Sequence, residues 1–258
     1  MKTMGNMTLN VTRTLLVLMA ALVITGCSTV PKYPYAIQQE PLHPVEDTVK
    51  STVKYPVDVY DPLEGLNRRV YSFNYYFDKF LFLPVVRGYE WIMPDYGEQR
   101  VSNFVDNVFE FSNFSNNLLQ MKFKRTGITL ARFAVNTTVG IAGLWDPATG
   151  MNLDEQNEDF GQTLGRYGVG NGPFIVLPIL GPSNLRDTTG TLVDALAFTQ
   201  VGPPAWVDDD DVSLVFNGVS AVDQRHRQAF RYYESGSPFE YELIRMLYSA
   251  KRELDIAK

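Results

Sequence analysis

Residues 165–187 read GRYGVGNGPFIVLPILGPSNLRD, and no ordinary soluble element has this composition. The apolar run at residues 174–180 follows four glycines and is interrupted by Pro178. Pro178 removes a backbone donor, which disfavours a central strand, and the run is too short and interrupted for a buried helix. It is also far shorter than the roughly 20 residues that cross a bilayer. The pattern predicts an irregular re-entrant or interfacial segment.

The N-terminus has the pattern of an export signal that ends in a lipidation site. Lys2 and Arg13 precede an uncharged apolar run at residues 15–24, which leads into Ile24-Thr25-Gly26-Cys27. This order of charge, apolar run and small residues is a secretory signal. Cys27 is the only cysteine and cannot form an internal disulfide. The alternative is a plain secretory signal with an incidental cysteine.

The tetrapeptide before and including Cys27 resembles a bacterial lipobox. We therefore predict that residues 1–26 are removed and that Cys27 carries a diacylglycerol and an N-acyl chain. Several acyl chains make such anchoring effectively permanent. Ser28, where an aspartate is absent, implies export to the outer membrane in lipoproteins of this kind.

Removal of residues 1–26 leaves 21 basic and 29 acidic residues, a net charge of −8 with neutral histidines. This acidic balance argues against a nucleic-acid partner. Residues 27–57 contain five prolines and little periodicity, which predicts an extended tether. Residues 58–258 are long enough to form one domain with its own core.

The domain is predicted to open with an amphipathic helix. Asp61 is expected to be its N-cap, with Pro62 at the first helical position. Two neighbouring stripes follow helical spacing: an apolar stripe of Leu66, Val70, Phe73, Phe77 and Phe80, and a polar stripe of Asn67, Tyr71, Asn74 and Asp78. The polar stripe is a candidate wall of a water-accessible passage. Periodicity alone favours the alternative, which is an ordinary solvated face or buried network.

Aromatic residues are concentrated between Tyr71 and Phe114, where 14 of 44 residues are aromatic against 13% in the whole chain. Prolines 84 and 94 are expected to break this region into short helices. Aromatic side chains with polar tips are favoured where one end is dry and the other wet, as at a membrane surface. A crowded soluble core is the alternative, and the lipid anchor favours the membrane.

The remaining pattern predicts more helices and no hairpin. Helices are expected near residues 95–110, 112–121, 125–139, 183–197, 208–234 and 237–256, with Asp159 capping a short one through Leu164. Arg132 and Asn136 share a polar face of the third of these, and Asp187 and Asp194 are expected to point outward. Residues 146–158 are expected to form a polar loop. The fold class is therefore mostly α.

Signatures of catalysis and metal binding are missing from the sequence. Neither histidine has the partner of a metalloenzyme helix, and the acidic run at residues 208–211 is explained by a helix N-terminus. The spaced glycines 168, 170 and 172 precede the apolar run instead of following a strand, so a phosphate loop is rejected. A membrane-active lipase is disfavoured because no nucleophile–base pair is visible. We predict no enzyme activity, no metal site and no cofactor.

Several segments resemble the MlaA/VacJ family of outer-membrane lipoproteins. The matching residues are DPLEGLNR at 61–68, RFAVN at 132–136 with Gly140, Gly143 and Asp146, EDFGQTLG at 158–165, the opening stretch, and a last helix within residues 237–248. They cover most of the predicted domain. Departures are small: Phe174 replaces a common tyrosine, Leu66 replaces a common phenylalanine, and the tether is long.

The resemblance implies an all-α, ring-like bundle of amphipathic helices that lies in one membrane leaflet, on the periplasmic side of the outer membrane. It implies partners in outer-membrane lipids, a trimeric porin and a soluble periplasmic lipid carrier. Phospholipids would leave the outer leaflet through an amphipathic channel, which maintains lipid asymmetry. The alternative is a structural lipoprotein that tethers or stabilises a porin without moving lipid.

Two sets of residues are assigned to the transported phospholipid as hypotheses. The channel-wall candidates are Asn67, Tyr71, Asn74, Asp78, Arg132 and Asn136. The candidates for a gate or rim are Gly168, Gly170, Gly172, Pro178, Gly181 and Arg186.

Overall fold

The computed structural model describes residues 59–206, 210–234 and 239–258. The predicted signal peptide, the tether and the proposed acylation of Cys27 lie outside these residues. The described part contains nine α-helices and one antiparallel pair of strands, which confirms the prediction of a mostly helical fold. None of its helices is both long and apolar enough to cross a membrane.

The elements follow one another in this order: α1 (Glu64–Phe77), a π-helical turn (Asp78–Phe82), α2 (Leu83–Ile92), α3 (Asp95–Leu119), α4 (Phe123–Thr138), α5 (Pro147–Gly150), α6 (Phe160–Arg166), β1 (Phe174–Leu177), β2 (Gly181–Asn184), α7 (Leu185–Gln200), a 3₁₀ turn (Pro203–Trp206), α8 (Asp210–Arg227) and α9 (Glu240–Ala257).

The chain from α1 to α2 is continuous, so the break predicted at Pro84 is wrong. The Leu83 N–H bonds to the carbonyl of Asp78, five residues earlier, which widens one turn. A proline is tolerated in the first turn of a helix, where its missing donor is not needed, and Pro84 occupies that position of α2. Pro94 does separate two helices, because the residue before a proline disfavours helical geometry and Met93 is extended.

Helix α3 runs without interruption through the two segments predicted at residues 95–110 and 112–121, since no helix breaker separates them. Asp61 does not cap α1, which begins after Leu63 without a side-chain cap. Asp61 instead accepts hydrogen bonds from Tyr241 at 2.5 Å and Arg245 at 3.0 Å on α9. The carboxylate that was expected to start the first helix therefore joins it to the last one.

The opening stretch forms a β-hairpin, contrary to the expectation of an irregular segment. β1 pairs with β2 so that Val176 lies opposite Pro182. The Val176 N–H points away from β2, to the Asn67 side chain at 2.9 Å, so this is a non-hydrogen-bonded pair and Pro182 forfeits no ladder bond. Pro178 lies in the connecting loop, where its missing donor does no harm.

The C-terminal half packs through buried charges. Asp187, predicted to point outward, is buried and accepts from Arg252 Nε at 2.8 Å and from Tyr248 at 2.9 Å. Asp194, also predicted to point outward, accepts from Asn116 at 2.9 Å and from the Phe160 N–H at 2.7 Å. Both predictions fail because the two carboxylates and their hydrogen-bond partners lie far apart in sequence.

Two further helix boundaries differ from expectation, and a third agrees with it. Asp146 caps α5 within the predicted loop, accepting from the Thr149 N–H at 3.1 Å. Helix α8 stops at Arg227 because the Arg225 guanidinium holds the carbonyls of Gln228 and Phe230 in a turn, at 3.0 and 3.1 Å. Asp159 caps α6, as predicted, by accepting from the Gln162 N–H at 2.8 Å.

Burial is inverted relative to a water-soluble domain. Among the described residues, ten apolar side chains are buried against 25 polar or charged ones, while 38 large apolar side chains are exposed. On α1 and the π-helical turn the predicted polar stripe is the buried face, whereas Leu66 and Phe80 of the predicted apolar stripe are 46% and 68% exposed. A soluble protein buries charged groups only when they are paired and rarely exposes so much apolar surface.

Candidate functional site

The polar face of α1 holds the hairpin in place. Asn67 donates to the Phe174 carbonyl at 3.0 Å and accepts from the Val176 N–H at 2.9 Å. Asn74 repeats this pattern, donating to the Leu177 carbonyl at 2.9 Å and accepting from the Ile179 N–H at 2.7 Å. The two asparagines thus satisfy the free edge of β1 and its loop as a third strand would.

Tyr71, between these asparagines, points into the small apolar core. Its ring packs edge-on against Tyr233 and Tyr241, and its hydroxyl donates to Glu240 at 2.7 Å. Burial, together with the Glu240 carboxylate, raises the pKa of the Tyr71 hydroxyl, so it stays a donor. Asn67, Tyr71 and Asn74 therefore make the contacts of a buried network, and their part in a lipid passage stays a prediction.

Asp78, the fourth residue of the polar stripe, begins the π-helical turn and forms a two-pronged ion pair. Arg225 Nε and one terminal nitrogen lie 2.6 and 2.8 Å from its two carboxylate oxygens. The pair joins α1 to the end of α8, and both side chains are nine-tenths buried or nearly so. π-Helical turns recur at functional sites, since the widened turn redirects the side chains around it.

A cavity of about 320 Å³ opens beside this ion pair. Its polar wall includes Asn74, Asp78 and Arg225. The apolar part of the lining comes from α1, the π-turn, the hairpin, the chain after α8 and α9: Phe77, Phe82, Ile179, Leu180, Pro182, Phe230 and Ile244. Burial raises the pKa of the Tyr232 hydroxyl, which also lines the cavity, to about 12. The polar lining could accept a charged headgroup and the apolar lining an acyl chain.

Arg132 and Asn136 lie elsewhere, in a buried network between α3, α4 and α5. Arg132 donates to Glu110 at 2.5 Å and to Asp146 at 3.2 Å. Asn136 donates to Asp146 at 2.9 Å and accepts from the Ala148 N–H at 3.1 Å. These bonds give both residues a structural function, and the structure does not bring them to the cavity. Their assignment to a channel wall stays a prediction.

The residues predicted to form a gate or rim lie in different parts of the structure. Gly181 lines the cavity with φ of +85°, a conformation that favours glycine, and the exposed Pro178 lies in the adjacent hairpin loop. Gly168, Gly170 and Gly172 are exposed in the segment before β1. Arg186 is buried and donates to Asp187 at 2.9 Å, so it is not at an open rim. A gating role for these residues stays a prediction.

Sequence reasoning missed half of this cavity. Arg225 carries no motif, and its pairing with Asp78 spans 147 residues. In the sequence, Leu180 and Phe230 are ordinary members of longer predicted segments. The one available signal was the polar stripe on α1: a charged residue there needs a cation from another element, and α8 ends in Arg225, His226 and Arg227.

Comparison with known proteins gives a consistent family. The model of the family described as "MlaA lipoprotein" matches residues 59–255. A protein of Rickettsia prowazekii without a described function is 38% identical over 170 residues, which is 66% of each chain. The "Intermembrane phospholipid transport system lipoprotein MlaA" of Escherichia coli K12 is 37% identical over 138 residues, 52% of this chain and 55% of that protein. These alignments span from about half to two thirds of the relatives.

A solved structure is also similar. It comes from work on the "structural basis for maintenance of bacterial outer membrane lipid asymmetry" and superimposes with a TM-score of 0.63 at 29% identity. The match covers 76% of this chain and 98% of that one. The fold described above is thus shared along nearly the whole of the solved chain.

Proposed function

Because this chain belongs to the MlaA lipoprotein family, we propose that it removes phospholipids from the outer leaflet of a Gram-negative outer membrane. The lipids would pass to a soluble periplasmic carrier, which maintains the asymmetry of that membrane. In this proposal Cys27 is acylated and the domain is anchored on the periplasmic side, next to a trimeric porin. The names of the Escherichia coli and Shigella flexneri relatives support phospholipid transport.

The inverted burial is the observation that carries this proposal. Trp91, Ile92 and Leu214 are 87%, 74% and 71% exposed, although each would gain about 1.5–3 kcal/mol by leaving water. In a bilayer leaflet these side chains contact acyl chains, and the buried polar side chains satisfy one another inside. Because no described helix is suited to span the membrane, the helices would lie in one leaflet.

The cavity beside Asp78 and Arg225 suits the passage of an amphipathic molecule. A headgroup moving between leaflets needs polar partners, while its acyl chains need an apolar wall. Both are present in one space of about 320 Å³, which is smaller than a whole phospholipid, so only part of the lipid would enter at a time. The proposal requires no catalytic step.

The hairpin loop is the movable wall in this proposal. Ile179 has φ of +69°, which is strained for a β-branched residue, and Asn74 holds its N–H. Loss of that one hydrogen bond would loosen the loop, whose Ile179 and Leu180 line the cavity. The contacts of Asn67 with β1 itself, by contrast, keep the rest of the hairpin fixed.

A matched pair of substitutions tests the passage. Ala221 lines the cavity, whereas Ala195 on α7 does not, and both side chains are exposed. Ala221→Trp should fill the cavity and raise the phospholipid content of the outer leaflet, measured on intact cells with an added phospholipase. Ala195→Trp should leave it at the wild-type level. Equal protein levels and porin co-purification are required of both variants. If Ala221→Trp is silent, the protein instead acts as a structural partner of the porin or moves lipid by another route.

A further inference from the structure

A second cavity, of about 560 Å³, lies between α3 and the chain that links α4 to α5. It shares no lining residue with the cavity at Asp78. Gln99, Arg100 and Asn103 of α3 form one side, and Val139, Trp145 and Asp146 are among the residues of the other. It is therefore a separate space, and neither the channel candidates nor the gate candidates describe it.

Arg100 is half-buried, and its surroundings differ from those of three other arginines that are largely shielded from solvent. Arg132, Arg225 and Arg252 are each paired with carboxylates, whereas no salt bridge to Arg100 occurs within the part of the chain that the structure describes. Its Nε is buried and has no hydrogen-bond partner there. Its guanidinium carbon lies 4.8 Å from the Tyr96 ring centroid and 5.4 Å from that of Trp145. The two rings hold the planar cation at the cavity wall without neutralising it.

The turn that carries Trp145 is strained. Ile141, Ala142 and Gly143 have φ of +52°, +56° and +89°, so three successive residues are left-handed and one of them is β-branched. Hydrogen bonds keep this turn in place, from the Ala142 N–H to Thr137 at 2.8 Å and from the Trp145 N–H to Gly140 at 2.9 Å. Strain of this kind persists where the surroundings enforce it and is common at ligand clamps.

Asp146, the one carboxylate among the lining residues of this cavity, already has hydrogen-bond partners within the protein. It accepts from Asn136, Thr149 and Arg132. Burial by itself would raise the pKa of Asp146, but these hydrogen bonds and the Arg132 charge lower it below the ordinary value. Asp146 is thus a shielded carboxylate, and Arg100 is the unpaired charge of the cavity. Gln99 adds an exposed side-chain amide beside it.

We propose that this cavity binds the phosphate diester of a phospholipid headgroup through Arg100. A guanidinium that lacks a carboxylate partner is suited to two parallel hydrogen bonds with phosphate oxygens. The surrounding surface favours a lipid over free phosphate, because Tyr96, Val139 and Ile141 are 62%, 65% and 61% exposed. This inference rests on the proposed function for the class of ligand, but it concerns a different cavity.

Calorimetric titration of the delipidated protein in a maltoside detergent tests the site. The probes are dihexanoylphosphatidylethanolamine, dihexanoylglycerol, which lacks the phosphate, and inorganic phosphate. Arg100→Gln should weaken binding of the phospholipid about 10- to 100-fold, the effect of losing a charged hydrogen-bonded pair. Arg100→Lys should weaken it less, because the charge remains while the planar fork is lost. Arg87→Gln, which removes an exposed arginine of α2 away from the cavity, should have no effect.

The outcomes separate this site from the first cavity. Unchanged phospholipid affinity in Arg100→Gln, or equal binding of dihexanoylglycerol, would overturn the proposal. Inorganic phosphate that binds as tightly, with the same dependence on Arg100, would make this a free-phosphate site and overturn the lipid assignment. Ala221→Trp should leave the Arg100-dependent binding intact, so failure of the passage at Asp78 and failure of this site are distinguishable. Thermal melts of all variants check that they remain folded.

Discussion

Replacement of Asn67 by leucine tests whether α1 acts as a third strand for the hairpin. The side chain is 1% exposed, and leucine has a similar size, so little packing volume changes. The substitution removes both partners of β1 at this point, the donor to the Phe174 carbonyl and the acceptor of the Val176 N–H. It also removes the donor to Asp61 at 2.8 Å.

The expected loss of stability follows from the two buried backbone groups that Asn67→Leu leaves without a hydrogen-bond partner. A buried polar group left without a partner costs about 1–3 kcal/mol, so Asn67→Leu should lower the free energy of unfolding by about 2–6 kcal/mol. For a domain of this size 1 kcal/mol corresponds to roughly 2–4 °C in Tm, which gives a decrease of about 4–24 °C.

Thermal unfolding of the purified protein in detergent, followed by circular dichroism, measures the effect. Asn217→Leu is the matched control, because Asn217 is an exposed residue of α8 and the same substitution there strands no buried group. Asn217→Leu should keep the wild-type Tm within about 2 °C, since surface substitutions change stability by no more than about 0.5 kcal/mol. An Asn67→Leu variant as stable as Asn217→Leu would refute the third-strand account.

Two further predictions concern close packing and pH. Gly190→Ala should destabilise the domain and lower its Tm, because the new Cβ would lie 2.3 Å from the Gly161 nitrogen where α7 crosses α6. Gly218→Ala is the control: its Cβ would meet nothing within 4 Å, so it should be neutral or stabilise the domain by up to about 1 kcal/mol. Burial opposes ionisation of Asp146 and Asp159, but their hydrogen-bond and charged partners lower the pKa of both carboxyl groups. Each carboxylate therefore stabilises the fold above about pH 4, and that stability is lost as the pH falls through the lower folded-state pKa. Melts between neutral pH and pH 3 should show this loss, with a smaller loss in Asp159→Asn.

Local sequence rules predicted the helices of this protein well and its long-range contacts poorly. The cap at Asp159 and the break at Pro94 depend on neighbours within a few residues, and the structure confirms both. Asp61 has every local feature of a cap, but Tyr241 and Arg245 offer it stronger partners from the other end of the chain. The pairing of Asp187 with Arg252 likewise spans 65 residues and has no local signature.

The hairpin also depends on contacts that local sequence rules do not predict. Pro178 and Pro182 each disfavour a strand when considered alone, because proline lacks a backbone donor. The strands form because Pro178 falls in the loop, Pro182 faces a non-hydrogen-bonded position, and Asn67 and Asn74 serve the outer edge of β1. The sequence shows the polar stripe of α1, but only its contacts with β1 explain why the stripe is buried.

The central claim is that phospholipid occupies the cavity at Asp78 and Arg225. Mass spectrometry of lipid retained by protein purified from membranes in mild detergent tests it most directly, with Ala195→Trp as the matched control for Ala221→Trp. Wild-type protein and Ala195→Trp should retain phospholipid, and Ala221→Trp should retain less. Protein that carries no phospholipid, or that carries the same amount with Ala221→Trp, would contradict the claim.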